Sequence, residues 1–339
     1  HLGEEGNLVR AMSILKDEMV GSFCFTFLTD DGSVYAARDS RGFRPLVLGH
    51  IPETNTYLVA SESCAVDTVG GKLICDLQPG ELLKLGSGGV ERQKFAYDTP
   101  HAHCAFEFTY FSHPSSILEG MNVYETRKKV GHLLARKYPF PDADVVIPVP
   151  DSARPAALGY AQELGIPFEE GLLKDRYRSK GSMRSFIEPY QKDRVEINKG
   201  IIPIKNVIEG KHVVVIDDSI VRGTSSEFIV KTLRKAGASK ISLIVTFPPI
   251  RFPCYAGIDF PSQEELLAFH HSPANQGADV AESVAKVIGA DNVVYNDTTT
   301  LAQAIGIDEK ELCFSCSTGD YSPLGIKPLF RTRKQMKGD

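Results

Sequence analysis

The sequence predicts an α/β protein in which a parallel sheet follows an antiparallel, strand-rich region. Three observations carry this. Short strand-like runs separated by turn signals fill residues 1–100. After residue 100 strands alternate with helices, which implies right-handed crossovers and a parallel sheet. One run, Val213–Ile216, is four β-branched residues long, the signature of a strand buried on both faces.

Taken in order, Leu8, Met12, Leu15 and Met19 recur at three and four and predict an amphipathic first helix. Ser22–Leu28 reads as a strand, Asp30-Asp31-Gly32 as a turn, and Ser33–Arg38 as the return strand of a hairpin. Leu46–His50, Thr56–Ser61 and Glu81–Leu85 follow as strands. Gln78-Pro79-Gly80 and Gly86-Ser87-Gly88-Gly89 punctuate them. Helix Val123–Lys137, strand Asp144–Val149, helix Ser152–Leu164 and a strand near Gly171–Leu173 come next. Strand His212–Ile216, helix Ser225–Ala236 and strand Lys240–Thr246 complete the alternation. Between them Arg176–Gly200 is polar and long for a connection, as functional lids often are. The last segment, Asp291–Asp339, is mixed and ends basic.

At 339 residues and 37.2 kDa the chain suits about two domains and a sizeable core. An apolar share of 42% with 24% charged residues is ordinary globular composition and excludes disorder, collagen and coiled coil as whole-chain answers. Thirty-eight Lys and Arg against 43 Asp and Glu give −5, with no basic arm, so nucleic acid is not an expected partner. No run approaches the length of a membrane span. The chain starts at His1 with no Met or basic leader, so a processed or fragmentary start is expected. Seven cysteines in a chain of this size suggest a reducing compartment, the cytoplasm, with free or metal-bound thiols.

The most informative string runs from Val213 to Ser226. Asp217 and Asp218 stand at the C-terminal end of the buried strand, where open α/β sheets bind ligands. Ser219, Arg222, Gly223, Thr224, Ser225 and Ser226 follow and open a helix. Backbone N–H groups there, with the hydroxyls, suit a phosphate. The spacing fits neither the P-loop pattern nor Gly-x-Gly-x-x-Gly. A phosphate with two acids just upstream suggests a phosphorylated sugar whose hydroxyls the acids grip. The bland alternative is a capped helix after a core strand, with solvated acids.

The string IDDSIVRGTSS (216–226) resembles the phosphoribosyl-pyrophosphate (PRPP) motif of type I phosphoribosyltransferases. SFCFTF (22–27), ARDSRGFRPLVLG (37–49), ASESCAVDTVGG (60–71), VIPVPDSA (146–153), LLKDRY (172–177), FPCYAGID (252–259) and CFSCSTGDYS (313–322) stand in order around it. Together they resemble the glutamine PRPP amidotransferase family over almost the whole chain. The resemblance implies a type I phosphoribosyltransferase domain at 101–290. Before it, at 1–100, would lie the C-terminal half of an antiparallel N-terminal-nucleophile glutaminase domain, and after it a C-terminal helix and cluster-binding tail at 291–339. It implies transfer of glutamine-derived ammonia to PRPP, giving 5-phosphoribosylamine and pyrophosphate in purine synthesis. Asp217 and Asp218 would face the ribose and Mg²⁺, and Gly223–Ser226 would hold the 5-phosphate. Pro150, Asp151 and Ser152 would form the pyrophosphate loop, with Ser152 near the metal. Arg176, Tyr177 and Arg184 would close over PRPP.

Three departures follow. The loop Arg176–Phe186 is about four residues longer than the Arg-Tyr-x-Gly-Arg-Thr-Phe usual in the family it resembles, where long loops often act as lids. His113-Pro114-Ser115-Ser116 replaces the usual Arg-Pro-Asp-Ser. The family's N-terminal Cys nucleophile, its glutamine-binding Arg and its oxyanion-hole Asn-Gly have no counterpart, so the glutaminase half-reaction is expected to be absent from this sequence.

Cys313 and Cys316 form a C-x-x-C pair that by itself fits zinc, redox chemistry or accident. The resemblance adds Cys104 and Cys254 and implies a [4Fe–4S] cluster, with a Cys₄ zinc site as the competing assignment. Cys24, Cys64 and Cys75 are expected to be buried structural thiols. His101 and His103 are expected in a solvated turn, and His270-His271 at a helix end. The competing function is a PRPP-binding regulator of the same fold, but the strand-rich N-terminus is unlike a winged helix and the chain is not basic. A fragment unable to fold alone is the third reading, since half a sandwich exposes strand edges. The family also implies a homo-oligomer, a tetramer, and inhibition by purine nucleotides.

Overall fold

The computed structural model describes residues 7–97, 99–175, 200–258, 260, 262–270 and 280–325. It opens with helix α1 (Leu8–Glu18), capped by the Asn7 side chain accepting from Arg10 N. Strands β1 (Cys24–Leu28), β2 (Val34–Arg38), β3 (Val47–Ile51) and β4 (Thr56–Ala60) lead to the short helix α2 (Ser63–Thr68). Strands β5 (Lys72–Asp76), β6 (Glu81–Gly86) and β7 (Gly89–Lys94) follow. These strands form two antiparallel sheets, ordered β1-β2-β6-β7 and β4-β3-β5. Alternation along β2 and β6 gives each face a job. Ala36 and Leu83 pack with Leu46, Leu48 and Leu77 between the sheets, while Ala37 and Leu82 pack with Phe23 and Met12 under α1.

Short strands β8 (His103–Cys104), β9 (Ile117–Leu118) and β10 (Met121–Asn122) flank a π-helical turn at Glu107–Phe111. Then come α3 (Val123–Lys137), β11 (Val145–Pro148), α4 (Arg154–Leu164), β12 (Leu172–Lys174), β13 (Ile201–Pro203) and α5 (Lys205–Ile208). The alternation continues with β14 (His212–Asp217), α6 (Thr224–Lys235), β15 (Lys240–Val245), α7 (Leu267–His270), α8 (Val280–Ile288) and β16 (Asn292–Tyr295). Among the described residues α9 (Thr298–Ile305), β17 (Leu312–Cys313) and α10 (Ser315–Thr318) come next.

Strands β11-β14-β15-β16 make one parallel sheet. All six residues of β14 are buried, as its β-branched run predicts. Val214, Ile216 and Ile244 face one apolar cluster with α3 and α4, and Val213, Val215 and Leu243 face another with α6 and α8. The fold class therefore agrees with the sequence expectation.

Several elements differ. The strand expected near Gly171–Leu173 is not part of the parallel sheet: β12 pairs antiparallel with β13. The fourth parallel strand is β16, in the segment expected to be mixed. Its four residues, Asn-Val-Val-Tyr, are too short an apolar run to stand out, and the neighbouring strand supplies its order. β7 is also missed, because Glu91, Arg92, Gln93 and Lys94 are poor strand formers held by a tight hairpin to β6. His103 is a correction. It is buried in β8 and not in a solvated turn, because β17 pairs with it in parallel from more than 200 positions away. Cys24, Cys64 and Cys75 are half-buried rather than buried. His270 ends α7, with Nε2 at 2.5 Å from Glu264 O, and His271 lies outside the described residues.

Candidate functional site

Asp217 ends β14 and Asp218 follows it, both buried. The carbonyls of Asp217 and Asp218 accept from Thr246 N (2.9 Å) and Phe247 N (3.0 Å), which anchors the acids to the end of β15. Their side chains are held as well. Asp218 N donates to Asp217 Oδ1 at 2.9 Å, Ser219 Oγ donates to Asp218 Oδ1 at 2.7 Å, and Ser152 Oγ donates to Asp218 Oδ2. Burial pushes the Asp217 carboxyl well above the ordinary carboxylate range, and the neighbouring Asp218 adds to it. Burial raises Asp218 too, against hydrogen bonds from Ser152 and Ser219 and the Arg127 charge. Two buried carboxyls this close favour losing their protons only when a cation or donor arrives.

Gly223 makes the turn into α6 with φ +79, the left-handed region. The backbone angle favours glycine, and a Cβ there would stand 2.4 Å from Leu267 Cδ2, so that side chain would have to move. The first turn of α6 then presents the N–H groups of Thr224, Ser225 and Ser226 beside their hydroxyls, a favourable anion cradle. Arg222 is turned aside, its Nε donating to Glu265 Oε2 at 2.9 Å.

Across from the acids lies the turn after β11, with a cis peptide between Pro150 and Asp151. Ser152 reaches Asp218, so the two turns meet. Asp151 pairs with Arg154 and with Lys174 Nζ at 2.5 Å. Partial burial opposes ionisation of Asp151, but Lys174 and Arg154 hold its carboxyl below the usual range. Arg176, Tyr177 and Arg184 lie outside the described residues. The bases of their segment meet, since Asp175 N donates to Gly200 O at 2.6 Å. Cavities of about 630 Å³ at Asn7, Arg92 and Tyr97, and about 380 Å³ at Lys231 and Val287, lie away from the acidic pair.

The four cysteines are brought together. Cys104 and Cys313 are register partners in β8 and β17, and Arg251 N and Phe252 N both donate to Cys316 O at 2.9 Å, docking the Cys254 segment on α10. Burial raises each thiol, and Cys254, Cys313 and Cys104 further raise Cys316. Ala256 N donates to Cys254 Sγ at 3.3 Å, and the Cys313 thiol and Ser315 hydroxyl share a hydrogen bond at 3.4 Å. Among the described residues no group of three or more His, Cys, Asp or Glu is arranged to hold a metal ion.

Sequence reasoning missed Arg127. It lies buried on α3, donating from Nε to Phe108 O and from Nη2 to Ser112 O, both at 2.8 Å. The signal was present: Val123, Arg127, Val130 and Leu134 share the apolar stripe of that helix, where a charge has no place unless partnered. Lys174 and Glu62 were also missed. Glu62 accepts from His113 N (2.7 Å) and Ser116 Oγ (2.8 Å), tying α2 to the departed His113–Ser116 segment.

Comparison with known proteins matches this arrangement. The family described as phosphoribosyl transferase domain matches residues 122–253, which include both turns and the acidic pair. A curated amidophosphoribosyltransferase of Archaeoglobus fulgidus is 40% identical over 321 residues, covering 94% of this chain and 67% of its own length. The chain belongs to the amidophosphoribosyltransferase family. The amidophosphoribosyltransferase of Methanothermobacter thermautotrophicus is likewise 40% identical over 319 residues, covering 94% of this chain and 64% of its own length. The solved glutamine PRPP amidotransferase of B. subtilis, complexed with ADP and GMP, superposes with a TM-score of 0.79 at 37% identity, covering 91% of this chain and 66% of that one. With the Mycobacterium bovis relative included, the chain spans 59% to 67% of the length of these curated amidophosphoribosyltransferases.

Proposed function

We propose that the chain is an amidophosphoribosyltransferase, a glycosyltransferase that converts PRPP and ammonia to 5-phosphoribosylamine and pyrophosphate. The observation that carries this is the meeting of two turns: the Pro150–Ser152 turn touches the acidic pair through Ser152, beside the hydroxyl-lined start of α6. In this reading the α6 turn, Gly223–Ser226, holds the 5-phosphate, and Asp217 and Asp218 grip the ribose hydroxyls. Lys174 and Arg154 set a positive border around Asp151, where pyrophosphate leaves. Asp217, Asp218 and Ser152 are oxygen donors and would hold Mg²⁺, which supplies charge neutralisation to the leaving pyrophosphate. Their raised carboxyl pKa values support this, since a divalent cation relieves the repulsion of a buried acid pair.

The nitrogen of ammonia forms a bond to the anomeric carbon as the bond to the pyrophosphate oxygen breaks. The extra proton on nitrogen then passes to solvent. The protein's part is positioning and electrostatics, because charge builds on a leaving group rather than on a side chain. Arg176, Tyr177 and Arg184 are proposed to close over PRPP. The nitrogen source proposed for the whole protein is glutamine, with residues 1–100 belonging to the glutaminase domain, 101–290 to the phosphoribosyltransferase and 291–339 to a cluster-binding tail.

The cysteine quartet is proposed to bind a [4Fe–4S] cluster through Cys104, Cys254, Cys313 and Cys316. The donor set fits: four thiols, three of them buried, gathered from three chain segments. A lone zinc held at about 2.3 Å by each thiolate needs sulfurs roughly 3.8 Å apart, a closer set than a four-iron cube. A homo-oligomer, a tetramer, in the cytoplasm and regulated by purine nucleotides completes the proposal. Unpaired thiols throughout suit that compartment, and no described helix is long and apolar enough to cross a membrane.

The test is pyrophosphate release from PRPP with ammonium salts and Mg²⁺. Activity should rise with pH as ammonium, pKa roughly 9, yields the nucleophilic NH₃. No Mg²⁺-dependent pyrophosphate release at any ammonium concentration overturns the proposal.

A further inference from the structure

Four charged side chains alternate in sign around the Pro150–Ser152 turn. Their segments meet because the chain before β12 runs parallel to β11. Val146 N donates to Pro167 O at 2.8 Å, Glu169 N donates to Val146 O at 3.0 Å, and Val146 bridges Phe168. Two chains running the same way reach the same end together, so Glu170 arrives beside the turn that β11 leads into, with Lys174 close behind. Asp151 Oδ2 accepts from Lys174 Nζ at 2.5 Å, and Asp151 Oδ1 accepts from Arg154 Nη1. Arg154 turns its other edge to Glu170, Nε donating to Oε1 at 2.9 Å and Nη2 to Oε2 at 3.3 Å. That is the two-bond fork a planar guanidinium makes with a carboxylate. Ser152, the residue after Asp151, donates to Asp218, so the row lies against the acidic pair. Its side chains are 36% to 59% exposed, so a dissolved anion can reach them.

We propose that Glu170, acting through Arg154, is a positioning residue that sets how tightly the site holds pyrophosphate. The inference rests on the Pro150–Ser152 turn being where the pyrophosphate of PRPP sits. In the order Lys174, Asp151, Arg154, Glu170 the formal charges cancel, so both cations are already neutralised by carboxylates before a ligand arrives. The guanidinium fork that grips Glu170 has the shape that also suits phosphate oxygens. Glu170 therefore occupies the donors that Arg154 could offer to pyrophosphate, and it removes the surplus positive charge that would attract one. Such restraint has a use. The same group must be held in the substrate and let go as a product, and product release sets the turnover of many enzymes. Arg154 and Glu170 both lie outside VIPVPDSA (146–153) and LLKDRY (172–177), so this pair is separate from the strings that carry the family resemblance.

The experiment titrates pyrophosphate with Mg²⁺ into the 339-residue protein by calorimetry, at low and at high salt, with melting temperature as the check on folding. The variants are Glu170→Gln, Arg154→Met and the two together. Glu170→Gln should tighten pyrophosphate binding about threefold, the scale of a part-exposed ion pair, with a smaller gain at high salt. Arg154→Met should weaken binding by a similar factor. The double variant should return close to wild type, because its row is neutral again and the two changes act on one pair. A merely structural role for Glu170 would lower the melting temperature and leave affinity unchanged or weaker, and would not tighten it. Affinity in Glu170→Gln that is unchanged or weaker at low salt overturns the inference, while loss of binding in Asp217→Asn with Asp218→Asn leaves the site reading intact. No pyrophosphate binding by wild type, or equal binding by the acidic-pair variant, overturns the site reading and the inference with it.

Discussion

The acidic pair and the cysteine quartet are both largely buried sets of groups that resist ionisation, yet they are assembled in different ways. Asp217 and Asp218 are neighbours in sequence, set by one strand end and one helix start, with Asp218 hydrogen-bonded to Ser152 and Ser219. Cys104, Cys254, Cys313 and Cys316 come from three distant segments, joined by the β8–β17 pair and by backbone bonds to Cys316 O. The first site can exist wherever its strand and turn fold. The second exists only when the C-terminal tail has reached back to the junction. Loss of a group at the acidic pair should therefore cost function with little stability, and loss at the quartet should cost stability.

The largest effect expected is at the quartet. Anaerobically purified protein should be brown with about four irons per chain, as four thiolates on a [4Fe–4S] cluster require. Cys313→Ser should then destabilise by more than about 3 kcal/mol, because the cluster's binding energy is folding energy, whereas half-buried Cys75→Ser should cost less than about 1 kcal/mol. Colourless protein with one zinc per chain would name the other metal, and no metal at all would break the comparison at this end.

Gly223→Ala probes the other site. With φ +79 and Leu267 Cδ2 in the way, it should cost about 1–3 kcal/mol of strain and weaken PRPP binding, which melting and calorimetry read together. A variant with unchanged PRPP affinity would show that the α6 turn is not the phosphate cradle.

Legibility follows the same division. The β14 strand, the acids and the hydroxyl turn could be read because one contiguous string encodes them, and its apolar run survives any tertiary context. The parallel sheet was readable for the same reason in β11, β14 and β15. β16 was not, since its run of four residues is too short to stand out and becomes a strand only beside β15. Cys313 and Cys316 were visible as a pair, but their meeting with Cys104 and Cys254 came from family resemblance and not from spacing. His103 was misread because a lone His in His-Ala-His-Cys carries no sign of a partner strand. Arg127 shows a signal that was available and unused: a charge on an apolar helical stripe.

Metal-free protein sharpens the contrast further. Both acids have raised pKa values in the folded state, so their contribution to stability is full at low pH, below the ordinary carboxylate range. It is lost as pH rises through the raised values. Asp217→Asn with Asp218→Asn should accordingly stabilise the metal-free protein at pH 7 by about 1–2 kcal/mol, with the difference vanishing in acid, as urea titrations would show. Equal stability at both pH values would contradict the strained-pair account.

The smallest effect concerns His103 at the junction. Burial lowers its pKa, so its neutral form stabilises the fold above the ordinary histidine value. That stability is lost as pH falls through the lowered one. His103→Gln should flatten the dependence of stability on pH below the ordinary histidine value, by less than about 1 kcal/mol. A wild-type slope in the variant would assign that titration to another group.

The central claim is that the two turns around Asp217 and Asp218 bind PRPP. Calorimetry of PRPP into the protein with Mg²⁺ tests it most directly, comparing wild type with Asp217→Asn plus Asp218→Asn. The account predicts Mg²⁺-dependent binding by wild type and none by the variant, whose fold is intact by melting. PRPP bound by both with the same affinity would contradict it.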